Sequence, residues 1–319
     1  MKVLITGVAG FIGYSISDFL LKKKFNIIGL DSLNNYYNLK LKKKRLSNLK
    51  KNNNFHFLKL NLNNRKNLFK KLKKYKIDLV IHLAAQPGVR YSLKFPKTYV
   101  DNNISAFANL LDFVRLKKTK LIYASSSSVY GDTKKFPVSE NDLLMPNNIY
   151  ALTKKNNEEM AKLYSKFYSI NIVGLRFFTV YGEWGRPDMF ILKFLNFFKN
   201  NKKFPLFNNG NHYRDFTYVD DLMKMIFPII KNIKKYNKGH YIFNVCTGKS
   251  LNIKKILNLL INLTKYKKIN HLGYQKTEVK KTHGSNKKIL KLSKKIKFTD
   301  YNVGVYNTYK WFLKNKKLF

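Results

Sequence analysis

The sequence predicts an α/β protein, with a doubly wound parallel sheet covered by helices and a smaller α/β C-terminal lobe. In the first half, short runs rich in β-branched residues alternate with longer stretches of helical periodicity. A glycine-rich turn follows the first run, and after about residue 178 the alternation gives way to a loop rich in Gly, Trp and Pro. We therefore expect a first domain over residues 1–178 and a second lobe over residues 179–319, some of whose segments can return to the first domain.

The first domain is expected to contain six strands and four helices. The strands are predicted at residues 3–6, 26–31, 55–62, 78–85, 120–126 and 172–178. The helices are predicted at residues 11–23, 65–75, 100–117 and 149–168, and the second lobe begins with a helix near residues 189–200. Because strands and helical stretches alternate, the strands should lie parallel, with helices on both faces of the sheet.

The composition excludes several classes of function. The 319 residues include 63 Lys and Arg against 17 Asp and Glu, which gives a formal net charge of +46. The lysines are spread along the whole chain beside abundant Asn, Ile, Phe and Tyr, as AT-rich codons would produce, so we expect no nucleic-acid partner. The lone Cys246 excludes an internal disulfide and a cysteine-rich metal site, and we predict no metal. The chain opens on a predicted strand and its apolar runs are too short to span a bilayer, so we expect a cytoplasmic protein without membrane insertion.

The turn after the first strand has the spacing G-x-x-G-x-x-G. Glycines there permit a tight turn and a close approach of the backbone to a pyrophosphate at the start of the next helix. Asp31 lies 18 residues beyond Gly13, where a carboxylate would accept hydrogen bonds from ribose hydroxyls and repel a 2′-phosphate. The pattern indicates a Rossmann domain that binds NAD rather than NADP, through Gly7, Gly10, Phe11, Ile12, Gly13 and Asp31.

A candidate catalytic pair lies at the start of the predicted helix 149–168. Tyr150 and Lys154 are four residues apart and therefore share one face of that helix. A tyrosine is a poor base at neutral pH unless a nearby cation favours its phenolate. The fifth strand ends in a serine run at the edge of the sheet where ligands of open α/β folds bind, and Ser126 could hydrogen-bond the substrate oxygen that Tyr150 deprotonates.

These motifs resemble a known family. They occur in the order found in extended short-chain dehydrogenases/reductases that act on nucleotide sugars, and the resemblance covers residues 1–222. It is carried by the strings at residues 6–13, 82–85, 127–131, 150–154 and 214–221. Within that family, the strings at residues 85–92, 123–128 and 176–189 are most similar to the UDP-glucuronate 4-epimerases.

The resemblance implies an NAD-dependent epimerase. Tyr150 would take the proton from the sugar 4-hydroxyl while C4 passes a hydride to NAD, and the resulting 4-keto sugar would rotate and take the hydride back on its other face. Lys154 would orient the nicotinamide ribose and lower the pKa of Tyr150. Ser126 would bridge the substrate and Tyr150, with Ser127 as the less favoured candidate.

The resemblance also implies the remaining contacts. Cofactor contacts would come from Ala84, Ala85, Asn103, Tyr150, Lys154 and Phe178. Substrate contacts would come from Arg90 beside the sugar, Ser126, Ser127, Thr179 and Arg186 on the uronate carboxylate, and Arg214 on the diphosphate. A 4-keto hexuronate is a β-keto acid that loses CO₂ readily, so a bidentate guanidinium that holds the carboxylate plane is the expected safeguard.

Several alternatives stay open at this level. On the same fold, the chain could be a UDP-glucuronate 5-epimerase or decarboxylase, or a UDP-glucose 4-epimerase. A catalytically silent NAD-binding protein with a nucleic-acid-binding surface is the alternative from another class. Two departures from the family pattern are noted: Asn61 replaces a common aspartate near the adenine, and Glu183 replaces a usual proline, which is expected to loosen the loop that carries Arg186. A homodimer through two long helices is usual for the family.

Overall fold

The computed structural model describes residues 1–273, 279–293 and 296–319. The strands over this part of the chain are β1 Lys2–Thr6, β2 Asn26–Asp31, β3 Phe55–Lys59, β4 Leu79–His82, β5 Lys120–Ser126, β6 Asn171–Phe177, β7 Thr179–Tyr181, β8 Phe204–Phe207, β9 Tyr213–Tyr218, β10 Gly239–Val245, β11 Ser250–Asn252 and β12 Ile269–Leu272. The helices are α1 Phe11–Lys22, α2 Leu39–Leu49, α3 Arg65–Leu72, α4 Val89–Lys94, α5 Pro96–Tyr99, α6 Ala106–Leu116, α7 Ile149–Tyr168, α8 Phe190–Lys199, α9 Val219–Asn232, α10 Ile253–Thr264, α11 Lys287–Leu290 and α12 Tyr301–Lys314.

The predicted doubly wound parallel sheet is confirmed. Seven strands lie in the order β10-β6-β5-β4-β1-β2-β3, and every neighbouring pair is parallel. The chain order reverses beside β1, which pairs with β2 on one side and with β4 on the other. In open sheets of this kind ligands bind at the carboxyl ends of the strands next to such a switch point.

Several helical segments differ from the sequence prediction, among them α2, α4, α5 and the start of α6 in the first domain. The lysine-rich α2 is not predicted, because its apolar positions are too few to show a clear period; it buries Leu41, Leu46 and Arg45 against the domain. The predicted helix 100–117 begins as a π-helical turn over Val100–Ser105 and becomes α-helical at Ala106. Such π turns are common near functional sites.

The second lobe shares its core with the first domain. Its strands form a three-stranded sheet, β11-β9-β7, and a two-stranded sheet, β12-β8. One continuous apolar cluster includes Ile5 of β1, Phe194 of α8 and Phe312 of α12, and β10 joins the central sheet through β6. A division at residue 178 stays a prediction, with β10 as a segment that returns to the first domain.

Membrane insertion was tested over the described helices. None of them combines the length and the apolarity needed to cross a bilayer. The cytoplasmic location and the lack of a nucleic-acid partner stay predictions from the sequence.

Candidate active site

The glycine turn forms a tight cradle between β1 and α1. Gly7 has a φ of +72°, which side chains disfavour, and a Cβ on Gly13 would lie 2.1 Å from the carbonyl oxygen of Gly7. Gly10 is the N-cap of α1 and brings no side chain to its first N–H groups. The start of α1 can therefore receive an anionic group directly on its backbone.

Replacing the third glycine tests this cradle. We expect Gly13→Ala to abolish stable dinucleotide binding, because its methyl group would collide with the backbone of Gly7 at less than van der Waals distance. The NAD content of the purified protein, measured by absorbance after denaturation, checks the prediction. Gly273→Ala is the matched control, since a Cβ there meets no atom of the described residues within 4 Å; full NAD occupancy in Gly13→Ala would contradict the assignment.

Asp31 ends β2 and faces the same turn. Its carboxylate accepts the N–H of Ala9 at 3.0 Å and that of Leu33 at 2.8 Å. Lys42, which the sequence did not single out, lies nearby, and its Nζ donates to the backbone and side-chain oxygens of Asn34 at 2.7 and 2.6 Å. Burial lowers the pKa of Lys42 to about 8, while the charge of Asp31 opposes that shift. In so lysine-rich a chain, one lysine carried no signal.

A cavity of about 400 Å³ opens at the carboxyl ends of the strands, beside the switch point. It collects most of the predicted site residues, namely Gly7, Gly10, Phe11, Ile12, Gly13, Asp31, Ala84, Ala85, Ser126, Ser127, Tyr150, Lys154, Phe178, Thr179 and Arg186. Residues from both halves of the chain thus meet around one space, whose size suits small-molecule ligands.

The predicted catalytic residues lie together on this cavity. Asn148 caps α7 by accepting the N–H of Ala151 at 2.9 Å, which sets Tyr150 in the first turn. Burial raises the pKa of Tyr150, while a hydrogen bond with Ser126 and the positive charge of Arg186 lower it. The cavity therefore holds the Tyr150 phenol together with the Ser126 hydroxyl, which hydrogen-bonds to it, and the nearby positive charge of Arg186.

Lys154 is held by the backbone of β5. Its Nζ donates to the carbonyl of Ala124 at 2.9 Å, and burial lowers its pKa to about 8 although Glu158 opposes the shift. The groups that lower the pKa of Tyr150 in this structure are Ser126 and Arg186, and an effect of Lys154 on that pKa stays a prediction. Burial makes the Lys154 ammonium costly, and the carbonyl of Ala124 holds it in place.

A buried ion pair supports the serine strand from behind. The Arg176 guanidinium binds Glu158 in a bidentate manner, with distances of 2.9 and 2.7 Å, and both side chains are 4% exposed. Ser125 donates to the same Glu158 carboxylate at 2.5 Å, and Arg176 also donates to the hydroxyl of Tyr130 at 2.8 Å. This network anchors β5 beside Ser126. The sequence marked Arg176 only as part of a family string.

Arg186 faces the cavity and carries a partner that the sequence analysis did not foresee. Its Nε and Nη2 donate to the two oxygens of Asp188 at 3.0 and 2.5 Å, and the hydroxyl of Tyr36 donates to Asp188 at 3.3 Å. These bonds use two of the five N–H donors of the guanidinium and fix its plane. The remaining donors are available for a second carboxylate from the cavity.

Three predicted contact residues do not line the cavity. Asn103 instead accepts the N–H of Gln86 at 2.7 Å and donates to Thr153 at 3.0 Å, which ties the loop after β4 to α7. Arg90 lies over the ring of Phe207 at 4.0 Å. Arg214 donates to the carbonyls of Tyr213 and Lys280 at 2.8 and 3.2 Å. In this structure all three side chains contact protein groups outside the cavity, and their expected contacts with cofactor or substrate stay predictions. The physical reason is that each side chain finds protein acceptors or an aromatic face nearby.

Glu183, which precedes Trp184 in the loop that carries Arg186, has a hydrogen-bond partner on β9. The hydroxyl of Tyr218 donates to its two carboxylate oxygens at 2.8 and 2.7 Å, which ties the loop to β9. Burial raises the pKa of this carboxyl, and the bond with Tyr218 opposes the shift. The carboxylate thus has a phenol partner on β9, and the expected loosening of the loop stays a prediction.

Comparison with known proteins agrees with this geometry. The model of the NAD dependent epimerase/dehydratase family matches residues 3–246. A UDP-glucuronate 4-epimerase from Thermodesulfobacterium geofontis is 38% identical, over 99% of this chain and 97% of its own. Protein CapI from Staphylococcus aureus is 45% identical, over 75% of this chain and 72% of its own.

Solved structures give the same result. The crystal structure of UDP-glucuronic acid 4-epimerase from Bacillus cereus, in complex with UDP-glucuronic acid and NAD, superimposes with a TM-score of 0.91. It is 32% identical in sequence, and the match covers 99% of this chain and 100% of that one. With a parallel sheet, a glycine cradle and a tyrosine-serine pair on one cavity, the chain belongs to the NAD dependent epimerase/dehydratase family.

Proposed function

We propose that this protein inverts C4 of UDP-glucuronate to give UDP-galacturonate, as an NAD-dependent isomerase. The observation that carries the proposal is the position of Arg186 and Tyr150 on one cavity with the glycine cradle. A guanidinium that can bind a carboxylate in two places favours a uronic acid over a neutral hexose. The names of the relatives from T. geofontis and B. cereus support the same substrate.

The residues present fit a dinucleotide. Side chains at Gly7 and Gly13 would collide with neighbouring backbone, so glycine there permits the tight turn that presents the start of α1 to a pyrophosphate, and Asp31 stands at the end of β2 for the ribose hydroxyls. When bound, NAD supplies the hydride acceptor that makes oxidation at C4 possible. Lys154, protonated at neutral pH because its pKa is about 8, orients the ligand from the floor of the cavity.

The proton at the sugar 4-hydroxyl is handled by the tyrosine. Tyr150 accepts this proton as the 4-keto sugar forms and returns it when the sugar is reduced on its other face. Ser126 donates to the same oxygen and holds it beside the phenol, while the charge of Arg186 favours the phenolate. The reaction has no net redox change, so the cofactor is retained from one turnover to the next.

The carboxylate of the 4-keto sugar needs restraint. Decarboxylation of a β-keto acid requires the C–CO₂⁻ bond to align with the carbonyl system, and a bidentate contact prevents that rotation. Arg186 has donors available for this contact, and Thr179 lines the same wall of the cavity. This restraint distinguishes an epimerase from a decarboxylase.

The product formed from UDP-glucuronate tests the function directly. We expect proton NMR to show UDP-galacturonate accumulating to equilibrium, without loss of CO₂ and without added NAD. A UDP-pentose would instead identify a decarboxylase, and a UDP-iduronate product would identify a 5-epimerase. UDP-glucose is the matched control substrate; faster turnover of UDP-glucose than of UDP-glucuronate would overturn the proposed specificity.

The enzyme acts as a homodimer in this proposal. Three apolar side chains on one face of α7 are at least half exposed, namely Leu152, Leu163 and Phe167. Leu163 follows Leu152 after three helical turns, and Phe167 follows Leu163 after one turn. Phe95 and Val100, on the segments that pack beside α7, are also exposed. Exposed apolar side chains of this kind, which share the helix face with the exposed Asn156 and Glu159, suit a two-fold contact with a second copy of the chain.

Interrupting this surface tests the dimer. We expect Leu163→Asp to convert the protein from dimer to monomer in light scattering coupled to gel filtration, because a charge at the centre of the contact would be buried without a partner. Leu313→Asp on α12 is the control, since that side chain is exposed on the second lobe. A dimer that survives Leu163→Asp would place the contact elsewhere.

A further inference from the structure

Arg45 is the most deeply buried cation in the described chain that the proposed mechanism does not use. It lies on α2, its exposed fraction is 0%, and burial lowers its pKa. Its Nη1 donates to the carbonyl of Ala9 at 2.9 Å and to the hydroxyl of Tyr37 at 2.6 Å. Its Nη2 donates to the carbonyls of Trp184 and Gly185 at 2.5 and 2.9 Å. All four acceptors are uncharged: three are backbone carbonyls and one is the hydroxyl of Tyr37. The guanidinium therefore pairs with no carboxylate through these four bonds.

The two ends of this contact belong to the two halves of the site. Ala9 is part of the glycine turn, and its own N–H donates to Asp31 at 3.0 Å. Trp184 and Gly185 directly precede Arg186 in the chain. One planar guanidinium therefore joins the glycine turn, where the dinucleotide is proposed to bind, to the loop that carries Arg186.

The loop is held in an unusual backbone conformation at the point of contact. Trp184 has a φ of +60°, a region that non-glycine residues occupy only when their surroundings enforce it. Its indole packs between Tyr14 of α1 and Trp311 of α12, with ring centroids 5.1 and 5.0 Å away. The bond from Arg45 to its carbonyl fixes the direction of the following peptide, and hence the direction from which Arg186 enters the cavity.

We propose that Arg45 is a positioning residue that aligns Arg186 for the uronate carboxylate relative to the cofactor turn. The inference rests on the proposed function, because it assigns Arg186 to a substrate carboxylate. Lysine cannot replace this bridge, since an ammonium lacks the rigid fork that reaches the carbonyl of Ala9 on one side and the carbonyls of Trp184 and Gly185 on the other. Loss of the bridge lets Trp184 and Arg186 shift while the cradle and the catalytic tyrosine stay in place.

The test compares two ligands that differ in the carboxylate. We expect Arg45→Lys, in the NAD-loaded Tyr150→Phe protein that cannot turn over, to bind UDP-glucuronate about tenfold or more weakly by calorimetry. Binding of UDP-glucose should change less than twofold, since that sugar has no carboxylate for Arg186. In the protein with Tyr150 intact, Arg45→Lys should also release CO₂ from UDP-glucuronate, measured with substrate labelled at the carboxylate.

Controls separate positioning from damage to the fold. Arg115→Lys is the matched variant, since Arg115 is partly exposed and pairs with Asp112 away from the cavity; it should leave both affinities unchanged. Tyr37→Phe keeps Arg45 and removes one acceptor, and it should give a smaller loss that is again confined to UDP-glucuronate. Equal losses for both ligands, or no loss for either, in a folded Arg45→Lys protein would overturn the inference. Failure of the Tyr150→Phe parent, with Arg45 intact, to bind UDP-glucuronate would instead overturn the proposed function.

Discussion

Tyr150→Phe lowers the turnover of UDP-glucuronate by roughly 10²- to 10⁴-fold, the usual contribution of a general acid-base group, while NAD stays bound. The phenol hydroxyl is the atom that the hydrogen bond with Ser126 and the charge of Arg186 act upon. The ring contributes packing, with Tyr99 in an edge contact at 6.2 Å, and phenylalanine keeps that contact. The measurement is the rate of product formation by NMR together with the NAD content of the purified variant.

A second tyrosine on the same helix provides the control for this result. Tyr168 ends α7 and is about half exposed, so Tyr168→Phe should turn over at the rate of the unaltered protein. If Tyr150→Phe retained normal turnover, the proton would be handled by another group. Loss of NAD from the variant would show instead that the substitution acts on the cofactor site.

Arg186→Met weakens the binding of UDP-glucuronate by roughly 30-fold or more, which corresponds to about 2 kcal/mol, the lower range for removing one partner of a buried charged contact. The substitution also leaves the 4-keto acid free to rotate, so we expect CO₂ to appear beside the epimer. Michaelis constants for UDP-glucuronate and UDP-glucose, with CO₂ trapping, measure both effects. UDP-glucose should bind almost unchanged, and Arg115→Met is the matched control on the surface.

The same variant has a signature in its pH profile. The charge of Arg186 lowers the pKa of Tyr150, because a nearby cation favours the phenolate. Without that charge the pKa of Tyr150 rises, so a higher pH is needed to form the base. The ascending limb of kcat/KM against pH should therefore move to higher pH in Arg186→Met. An unchanged limb and no CO₂ would contradict both assignments for Arg186.

The carboxylate contact is set by more than Arg186 itself. Asp188 fixes the plane of the guanidinium through two hydrogen bonds, and Tyr36 in turn donates to Asp188. Burial raises the pKa of Tyr36 to about 12, so its hydroxyl keeps its proton and remains a donor throughout the working range of pH. An arginine prepared in this way loses little rotamer freedom when a second carboxylate arrives.

Most of the cofactor site could be predicted because its glycines are only three residues apart in the sequence. Gly7, Gly10 and Gly13 belong to the local geometry of one strand-turn-helix unit, and a Cβ at Gly7 or Gly13 would collide with neighbouring backbone, which explains the glycine at those two positions. The prediction that Tyr150 and Lys154 share one face required only that they lie on a helix. That helix, α7, begins directly after its N-cap Asn148. The alternation of strands and helices was enough to predict the parallel sheet.

The residues that lie outside the cavity in this structure, whose ligand contacts stay predictions, are ones whose surroundings depend on distant neighbours. Arg90 was expected beside the sugar and lies on Phe207, and Arg214 was expected at the diphosphate and donates to the carbonyl of Lys280. Asn103 was expected near the nicotinamide and holds Gln86. A family string states which residue occupies a position, but not which of several nearby partners its side chain meets.

The sequence by itself determined the fold class, and it predicted the cofactor turn and the catalytic pair, since each depends on periodicity or on spacings of a few residues. Only the tertiary structure decided what surrounds Arg186, the proposed partner of the substrate carboxylate. Arg45 meets Trp184 across 139 positions of the chain, and Tyr36 meets Asp188 across 152. No local spacing encodes such contacts; they arise when the sheet and the second lobe pack together and bring buried donors to the acceptors that satisfy them.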